Sequence, residues 1–299
     1  MALAVLPANE KTVPAFIPRP ILTILLCLAV PAMPTAAMAA PAEGAPRRIV
    51  SLNMCADQLL IALADPGQIA ALTQFARDPA MSAEAVRAAR LPISRGAAED
   101  VLALNPDLIL TSPFRSRGAA EALKRQSYRT IDIPPAESYA AIVAEIRTVA
   151  QAVGHPERGT AMIAQMNAQL SDLRTLRGRP VAAYYQRRGY LTGTGTLVDE
   201  LMQRVGLRNL AQVLGKPALA RLTVEEMVAA RPDYLIIESD SDTVTDQGTE
   251  MLHHPALADI PRLHLPQAWT VCGGPSYAKA ARSLADQLSA HRKTVPARR

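Results

Sequence analysis

One segment of this chain occurs twice. Glu99-Asp100-Val101-Leu102-Ala103-Leu104-Asn105-Pro106-Asp107-Leu108-Ile109-Leu110 aligns without gaps on Glu225-Glu226-Met227-Val228-Ala229-Ala230-Arg231-Pro232-Asp233-Tyr234-Leu235-Ile236, with Glu, Ala, Pro and Asp recurring in frame. Each copy reads as a short helix, stopped by the restriction that proline places on the residue before it, followed by a buried strand. A chain that repeats a helix–Pro-Asp–strand unit in both halves is constrained to two related α/β units.

The rest of the sequence agrees. From Arg48 onward short aliphatic runs alternate with helical patterns, the signature of βαβ units around a mainly parallel sheet. The first half offers strands at Arg48–Leu52, Ile69–Thr73, Leu108–Thr111 and Thr130–Ile133. Helices fall at Asp57–Ala64, Ala80–Ala88, Glu99–Leu104, Ala119–Gln126 and Tyr139–Val153. The second half matches in pattern, with an opening strand at Val181–Tyr185, a later one at Leu263–Leu265 and a closing helix at Tyr277–Ser289. Between them Gly154-His155-Pro156 breaks one helix and starts another, because proline suits the first helical position. Glu157 to about Leu176 then carries Met162, Ile163, Met166, Leu170 and Leu173 on one face. The expected architecture is two Rossmann-like α/β lobes with mainly parallel sheets, joined by one long spine helix. The lobes are expected at residues 47–154 and 179–292, and the spine at 155–178.

The N-terminus follows a different logic. Lys11 and Arg19 precede the apolar run Ile21–Val30, and Ala37-Met38-Ala39 follows it, which is the order of a cleavable secretory signal. Residues 1–39 are therefore expected to be removed on export to the periplasm. The apolar run is shorter than the ~20 residues of a spanning helix. Cys27 lies inside the signal, after Leu26, and leaves with it. Of the three cysteines, Cys55 and Cys272 then remain in an oxidising compartment. The sequence pI of 9.3 does not point to nucleic acid, because the 32 Lys and Arg residues are scattered among 27 Asp and Glu without basic blocks.

The chain resembles the cobalamin and ferric-siderophore class of periplasmic substrate-binding proteins, whose two lobes are joined by a rigid helix. The resemblance covers about residues 47–290. It is carried by Arg48-Ile49-Val50-Ser51-Leu52-Asn53-Met54-Cys55-Ala56-Asp57-Gln58, by the two Glu…Pro-Asp units, by Gly193-Thr194-Gly195-Thr196-Leu197-Val198-Asp199-Glu200-Leu201, and by Leu265-Pro266-Gln267-Ala268-Trp269-Thr270-Val271-Cys272-Gly273-Gly274-Pro275. The resemblance implies an ABC importer's binding protein, not an enzyme, that captures a metal chelate between its lobes and docks on a membrane permease with its ATPase. It implies no cofactor of the protein's own, any metal arriving with the ligand. A monomer is expected.

Ligands of open α/β sheets bind beyond the carboxyl ends of the strands. That rule selects Asn53, Met54, Cys55, Arg95, Phe114 and Arg115 from the first half. From the second it selects Tyr185, Gln186, Arg187, Arg188, Tyr190, Glu238, Ser239, Trp269 and Tyr277. The arginines, with Arg117, favour an anionic ligand, since guanidinium pairs with carboxylate or catecholate oxygens through two hydrogen bonds. The aromatics suit a flat macrocycle. A ferric siderophore is the preferred expectation, a corrinoid the second and haem the third. Cys55 and Cys272 have three fates open to them: one disulfide, the slightly favoured one, coordination of the ligand's metal, or two separate thiols. Glu99 and Glu225, matched in the two repeats, are expected to dock on the permease.

Other chemistries find less support. His253 and His254 are neighbours in sequence and share no helix face for a metal. Thr192-Gly193-Thr194-Gly195-Thr196 lacks the lysine of a phosphate loop and the third glycine of a dinucleotide fingerprint. Ser51, Asp57 and His155 show no catalytic order. The competing class is a two-lobed enzyme acting on a tetrapyrrole, such as a chelatase, which needs an acid or base aimed at the macrocycle. No loop selected above holds a histidine.

Overall fold

The structure, a computed structural model, describes residues 44–113, 128–173, 175 and 178–294. The expected signal, Phe114, Arg115, Arg117 and the helix expected at Ala119–Gln126 lie outside these residues. In the first half β1 (Ile49–Ser51) leads into α1 (Met54–Leu63), β2 (Ile69–Ala71), α2 (Ala85–Ala88), α3 (Ala98–Leu104), β3 (Leu108–Thr111) and β4 (Thr130–Asp132). Then come α4 (Tyr139–Val153) and α5 (Pro156–Ser171). The second half holds β5 (Val181–Gln186), β6 (Tyr190–Thr192), α6 (Leu197–Arg204), β7 (Arg208–Asn209), α7 (Leu210–Val213), β8 (Leu219–Arg221) and α8 (Val224–Ala230). It closes with β9 (Tyr234–Glu238), α9 (Gln247–Glu250), β10 (Arg262–Leu265) and α10 (Ser276–Thr294).

The first sheet is parallel throughout, in the order β2-β1-β3-β4. The second runs β10-β9-β5-β6-β8, with β7 also on β5. Its β5, β7, β9 and β10 are parallel, whereas β6 and β8 add an antiparallel edge. The set β1-β3-β4 recurs in matching register as β5-β9-β10. Ile49 pairs with Leu108 as Ala182 pairs with Tyr234, and Ile109 pairs with Thr130 as Leu235 pairs with Arg262.

The repeated Pro-Asp explains that register. Asp107 accepts hydrogen bonds from the backbone N–H groups of Arg47 and Arg48 at 2.6 and 3.0 Å, and Asp233 accepts one from Val181 N–H at 2.7 Å. In return the Asp107 and Asp233 N–H groups donate to the carbonyls of Arg48 and Val181. Each aspartate thus pins the entry of the neighbouring strand, where ladder donors would otherwise go unpaired. The residues before the prolines, Asn105 and Arg231, adopt left-handed conformations with φ of 43° and 45°. The helix stop expected from proline is there, made by a left-handed cap rather than an extended residue.

The connecting helix α5 ends at Ser171, earlier than the Leu176 expected from its apolar face. Asp172 closes it, and the chain reaches β5 through Gly178 at φ 94° and Pro180. α5 packs between α4 and α10. A Cβ on Gly159 would stand 2.6 Å from the Ala150 Cβ, so glycine is what lets α5 approach α4. Arg158 fixes the start of the helix by donating to Asp65 at 2.6 Å and to the Leu63 carbonyl at 2.9 Å. The main core is continuous from one lobe to the other, through Leu59 of α1, Ile146 of α4, Ile163 of α5, Leu201 of α6 and Leu284 of α10.

Two acids are buried in this framework. Burial pushes Asp57 up to about 6, although Ser51 and Thr73 hydrogen-bond to it, and pushes Glu145 up to about 7. Glu145 Oε1 has no hydrogen-bond partner among the described residues. Both acids hold their protons more tightly in the folded chain than in the unfolded one, so their charging opposes folding. Stability is therefore highest below the unfolded pKa of about 4 and falls as pH rises toward about 7. Glu145→Gln is expected to flatten that fall and to raise stability at about pH 8 by roughly 2 kcal/mol, read from urea unfolding across this range. An unchanged profile would show that the Glu145 carboxyl reaches water.

Candidate functional site

A covalent bond joins the loops at the carboxyl ends of the two sheets. Cys55 opens α1 just after β1, Cys272 follows β10, and the two form a disulfide with Cα atoms 5.2 Å apart. Beside it Gly273 presses on the other lobe: a Cβ there would stand 2.4 Å from the Ala136 Cβ and 2.9 Å from Ile142 Cγ1. A polar cluster extends this contact. Glu200 of α6 accepts from Arg204 Nη2 at 2.7 Å, from the Tyr277 hydroxyl at 3.2 Å, and from the backbone N–H of Tyr139 on α4. The Arg204 guanidinium lies 5.0 Å from the Tyr139 ring centroid and 5.6 Å from that of Tyr277, and the two rings stack at 5.5 Å. The floor between the lobes is closed by these ties.

Several selected residues build this frame instead of lining a cleft. Asn53 caps α1 by accepting from Cys55 N–H at 2.8 Å, and its amide donates to the carbonyls of Thr111 and Ile133. It binds the ends of β1, β3 and β4 together, and half-buried Met54 begins the helix it caps. Tyr277 is fully buried in the Glu200 cluster, and burial pushes its hydroxyl well above the usual tyrosine range. Tyr185 is also a correction. It is buried in the second lobe's outer core, with its hydroxyl donating to the Leu222 carbonyl at 2.9 Å, and burial pushes it up to about 12. Side chains alternate along a strand, so its neighbour Tyr184 takes the opposite face and reaches the strand ends.

There the Tyr184 hydroxyl reaches Glu238, which with Gln186, Arg187, Tyr190, Leu219 and Gln267 lines a cavity of about 290 Å³. Glu238 is only 6% exposed. Its Oε1 accepts from Gln186 Nε2 at 2.8 Å and from the Tyr184 hydroxyl at 3.4 Å. The Thr192 hydroxyl donates to the Gln186 side-chain amide oxygen Oε1 at 3.0 Å, and the Thr270 hydroxyl contacts the Tyr184 hydroxyl at 3.1 Å. Burial, and next the Glu238 charge, push Tyr184 far above its ordinary range. Tyr190 is 37% exposed and Leu219 59%, so the cavity's outer wall is apolar. The Arg221 guanidinium lies 5.4 Å from the Tyr190 ring centroid, which fixes that ring. A larger hollow of about 640 Å³ lies at the other edge of the sheet, among Pro180, Asp233, Tyr234 and Pro261. Those residues precede or open their strands, the wrong end for a ligand of a parallel sheet.

The arginines are divided. Arg187 is paired with Asp246. Arg188 stands in a left-handed conformation with φ 59°, and its carbonyl accepts two bonds from Arg221. Its side chain is exposed, as is Arg95, which leads into Gly96 at φ 77°. Trp269 is half-buried in the turn after β10. Tyr184, Leu219 and Gln267 escaped the sequence reading. Gln267 lies two residues past the end of β10, as Glu238 ends β9, so the strand-end rule could have found it. Leu219 lies on an antiparallel edge strand with no apolar pattern. Phe75, 41% exposed in the turn after β2, was open to the same rule.

The glycine-rich segment is spent on structure. A Cβ on Gly193 would lie 2.1 Å from the Pro217 carbonyl oxygen, and Thr196 caps α6 by accepting from Asp199 N–H. His253 contacts the Ser241 carbonyl at 2.7 Å and His254 accepts from Ala256 N–H at 3.2 Å.

The profile of the periplasmic binding protein family matches residues 49–262. The chain belongs to this family. A cobalamin-binding protein of Halobacterium salinarum is 24% identical over 207 residues, 67% of this chain and 56% of the relative. The chain thus spans little more than half the length of that relative. Among solved structures, the apo periplasmic heme-binding protein RhuT from Roseiflexus sp. RS-1 superposes with a TM-score of 0.66 at 26% identity, covering 81% of this chain and 97% of its own. The periplasmic heme-binding protein HutB of Vibrio cholerae gives 0.66 at 19% identity, covering 81% and 98%, a likeness of fold. No helix among the described residues is long and apolar enough to cross a membrane.

The disulfide yields a direct test. Alkylation without reductant is expected to leave Cys55 and Cys272 unmodified, and replacing both by Ser to lower stability by about 2–5 kcal/mol. Two alkylated thiols would contradict the bond.

Proposed function

We propose that this chain is the extracytoplasmic substrate-binding subunit of an ABC importer, which captures one metal chelate between its lobes and delivers it to a membrane permease and its ATPase. The observation that carries this reading is the Cys55–Cys272 bond between strand-end loops of the two sheets, together with the Glu238 cavity at the carboxyl ends of β5 and β9. Family membership supports the same task. The ligand class favoured here is a tetrapyrrole-type chelate, a corrinoid or haem, ahead of a ferric siderophore. The siderophore preference rested on loop arginines, and Arg187 is already committed to Asp246. The cobalamin and haem ligands named for the relatives support the macrocycle.

Docking is assigned to Glu99 and Glu225. Both are exposed, and both are the second residue of their helices α3 and α8. Glu225 is held below the usual carboxylate range by its own backbone N–H and by the Thr223 hydroxyl, so it stays ionised. One such acid on each lobe suits a two-fold symmetric permease with basic pockets, where charge orients the encounter.

Titration with a corrinoid and with haemin, followed by Trp269 fluorescence and absorbance, is expected to reach one ligand per chain with at least one of them. Tight binding of a free amino acid or sugar, without response to either chelate, would sink the reading. Replacing Glu99 and Glu225 together by Ala is expected to leave ligand affinity unchanged and stability within about 0.5 kcal/mol, while stimulation of the transporter's ATPase collapses. Wild-type stimulation by the double variant would leave the two acids as helix-start charges only.

A further inference from the structure

The Glu238 cavity has a chemistry that a carboxylate-rimmed ligand does not match. Glu238 Oε1 is satisfied by Gln186 and Tyr184, while Oε2 has no partner among the described residues. No cation pairs with Glu238 there either. Arg187, the one arginine among the described residues that line the cavity, is paired with Asp246. A buried acid with no counter-charge among the described residues repels a second anion brought against it, because burial weakens the screening that water would give. The same acid gains from an N–H donor, in the stronger, charge-assisted class of hydrogen bond.

The neighbours narrow the donor further. Gln267 brings a side-chain amide to the cavity wall with no hydrogen-bond partner of its own among the described residues. An amide and a carboxylate side by side match a primary amide, whose N–H goes to the carboxylate and whose carbonyl accepts from the glutamine. Tyr190 and Leu219 supply apolar surface for the short methylene stem of such an arm. At about 290 Å³ the cavity holds a ligand's peripheral substituent and not a whole macrocycle.

Resting on the reading of the cleft as a chelate site, we propose that Glu238 is its specificity-determining residue: it accepts a hydrogen bond from a neutral amide arm at the rim of the chelate and turns away a rim of carboxylates. The ligand class that follows is an amide-armed corrinoid, ahead of haem with its two carboxylates.

Two corrinoids that share metal and ring but differ at the rim isolate the effect. The full chain is titrated with neutral dicyanocobinamide, whose arms are amides, with dicyanocobyrinic acid, whose arms are carboxylates, and with haemin. The wild type is expected to bind the amide form at least about ten-fold tighter than either carboxylate ligand, a difference of about 1.4 kcal/mol. Glu238→Gln is expected to shrink that ratio below about three-fold, chiefly through tighter binding of the carboxylate forms. Glu238→Asp, which keeps the charge, is expected to retain the preference. Far-UV circular dichroism and thermal unfolding check that both variants fold. A wild type without the preference, or a ratio unmoved in Glu238→Gln, overturns the assignment. If haemin then binds at one per chain, the chelate reading stands and only the role of Glu238 falls. If no chelate binds the wild type, both fall together.

Discussion

Parallel pairing in two equivalent strand sets is the constraint from which the rest of this structure follows. A parallel sheet sends every strand's carboxyl end to the same edge, so loops that carry chemistry gather there without further instruction. Asp107 and Asp233 fix the register in each lobe by holding the entries of β1 and β5. Once both sheets exist, the loops at their carboxyl ends need only be tied together. The Cys55–Cys272 bond, the Gly273–Ala136 contact and the Glu200 cluster do that. A covalent bond at the floor fixes the spacing of the lobes there, so any opening of the cleft is a rotation about that point.

The sequence revealed the parts that repeat or that carry strong periodicity. The amphipathic pattern of α4 runs from Tyr139 to Val153 and the helix has those limits. The buried run Leu108–Thr111 is likewise the whole of β3. β6, β7 and β8 were not legible, because two or three residues carry no period and Arg221 and Thr192 break any apolar run. That blind spot hid Leu219, and with it one wall of the cavity.

Site residues were legible by position and not by role. Glu238, Gln186 and Tyr190, which the strand-end rule selected, line one cavity together, since the rule depends only on where a strand stops. It misplaced Tyr185 by one residue, because two consecutive tyrosines differ in face and sequence alone did not say which face was inward. It misassigned Tyr277 and Asn53, whose polar atoms serve the frame through partners far away in sequence: Glu200, Arg204, Thr111 and Ile133. The excess of arginine read as an anion site for the same reason. Asp246, which occupies Arg187, lies 59 residues away.

The central claim is that one metal chelate fills the space between the two sheets. Native mass spectrometry of the protein isolated from its own cell envelope tests this most directly, with an absorbance spectrum of whatever denaturation releases. The expected result is one metal-containing macrocycle per chain, lost on unfolding. A chain carrying a sugar or an amino acid, or one that stays empty after incubation with corrinoid, haemin and ferric siderophore alike, would contradict the claim.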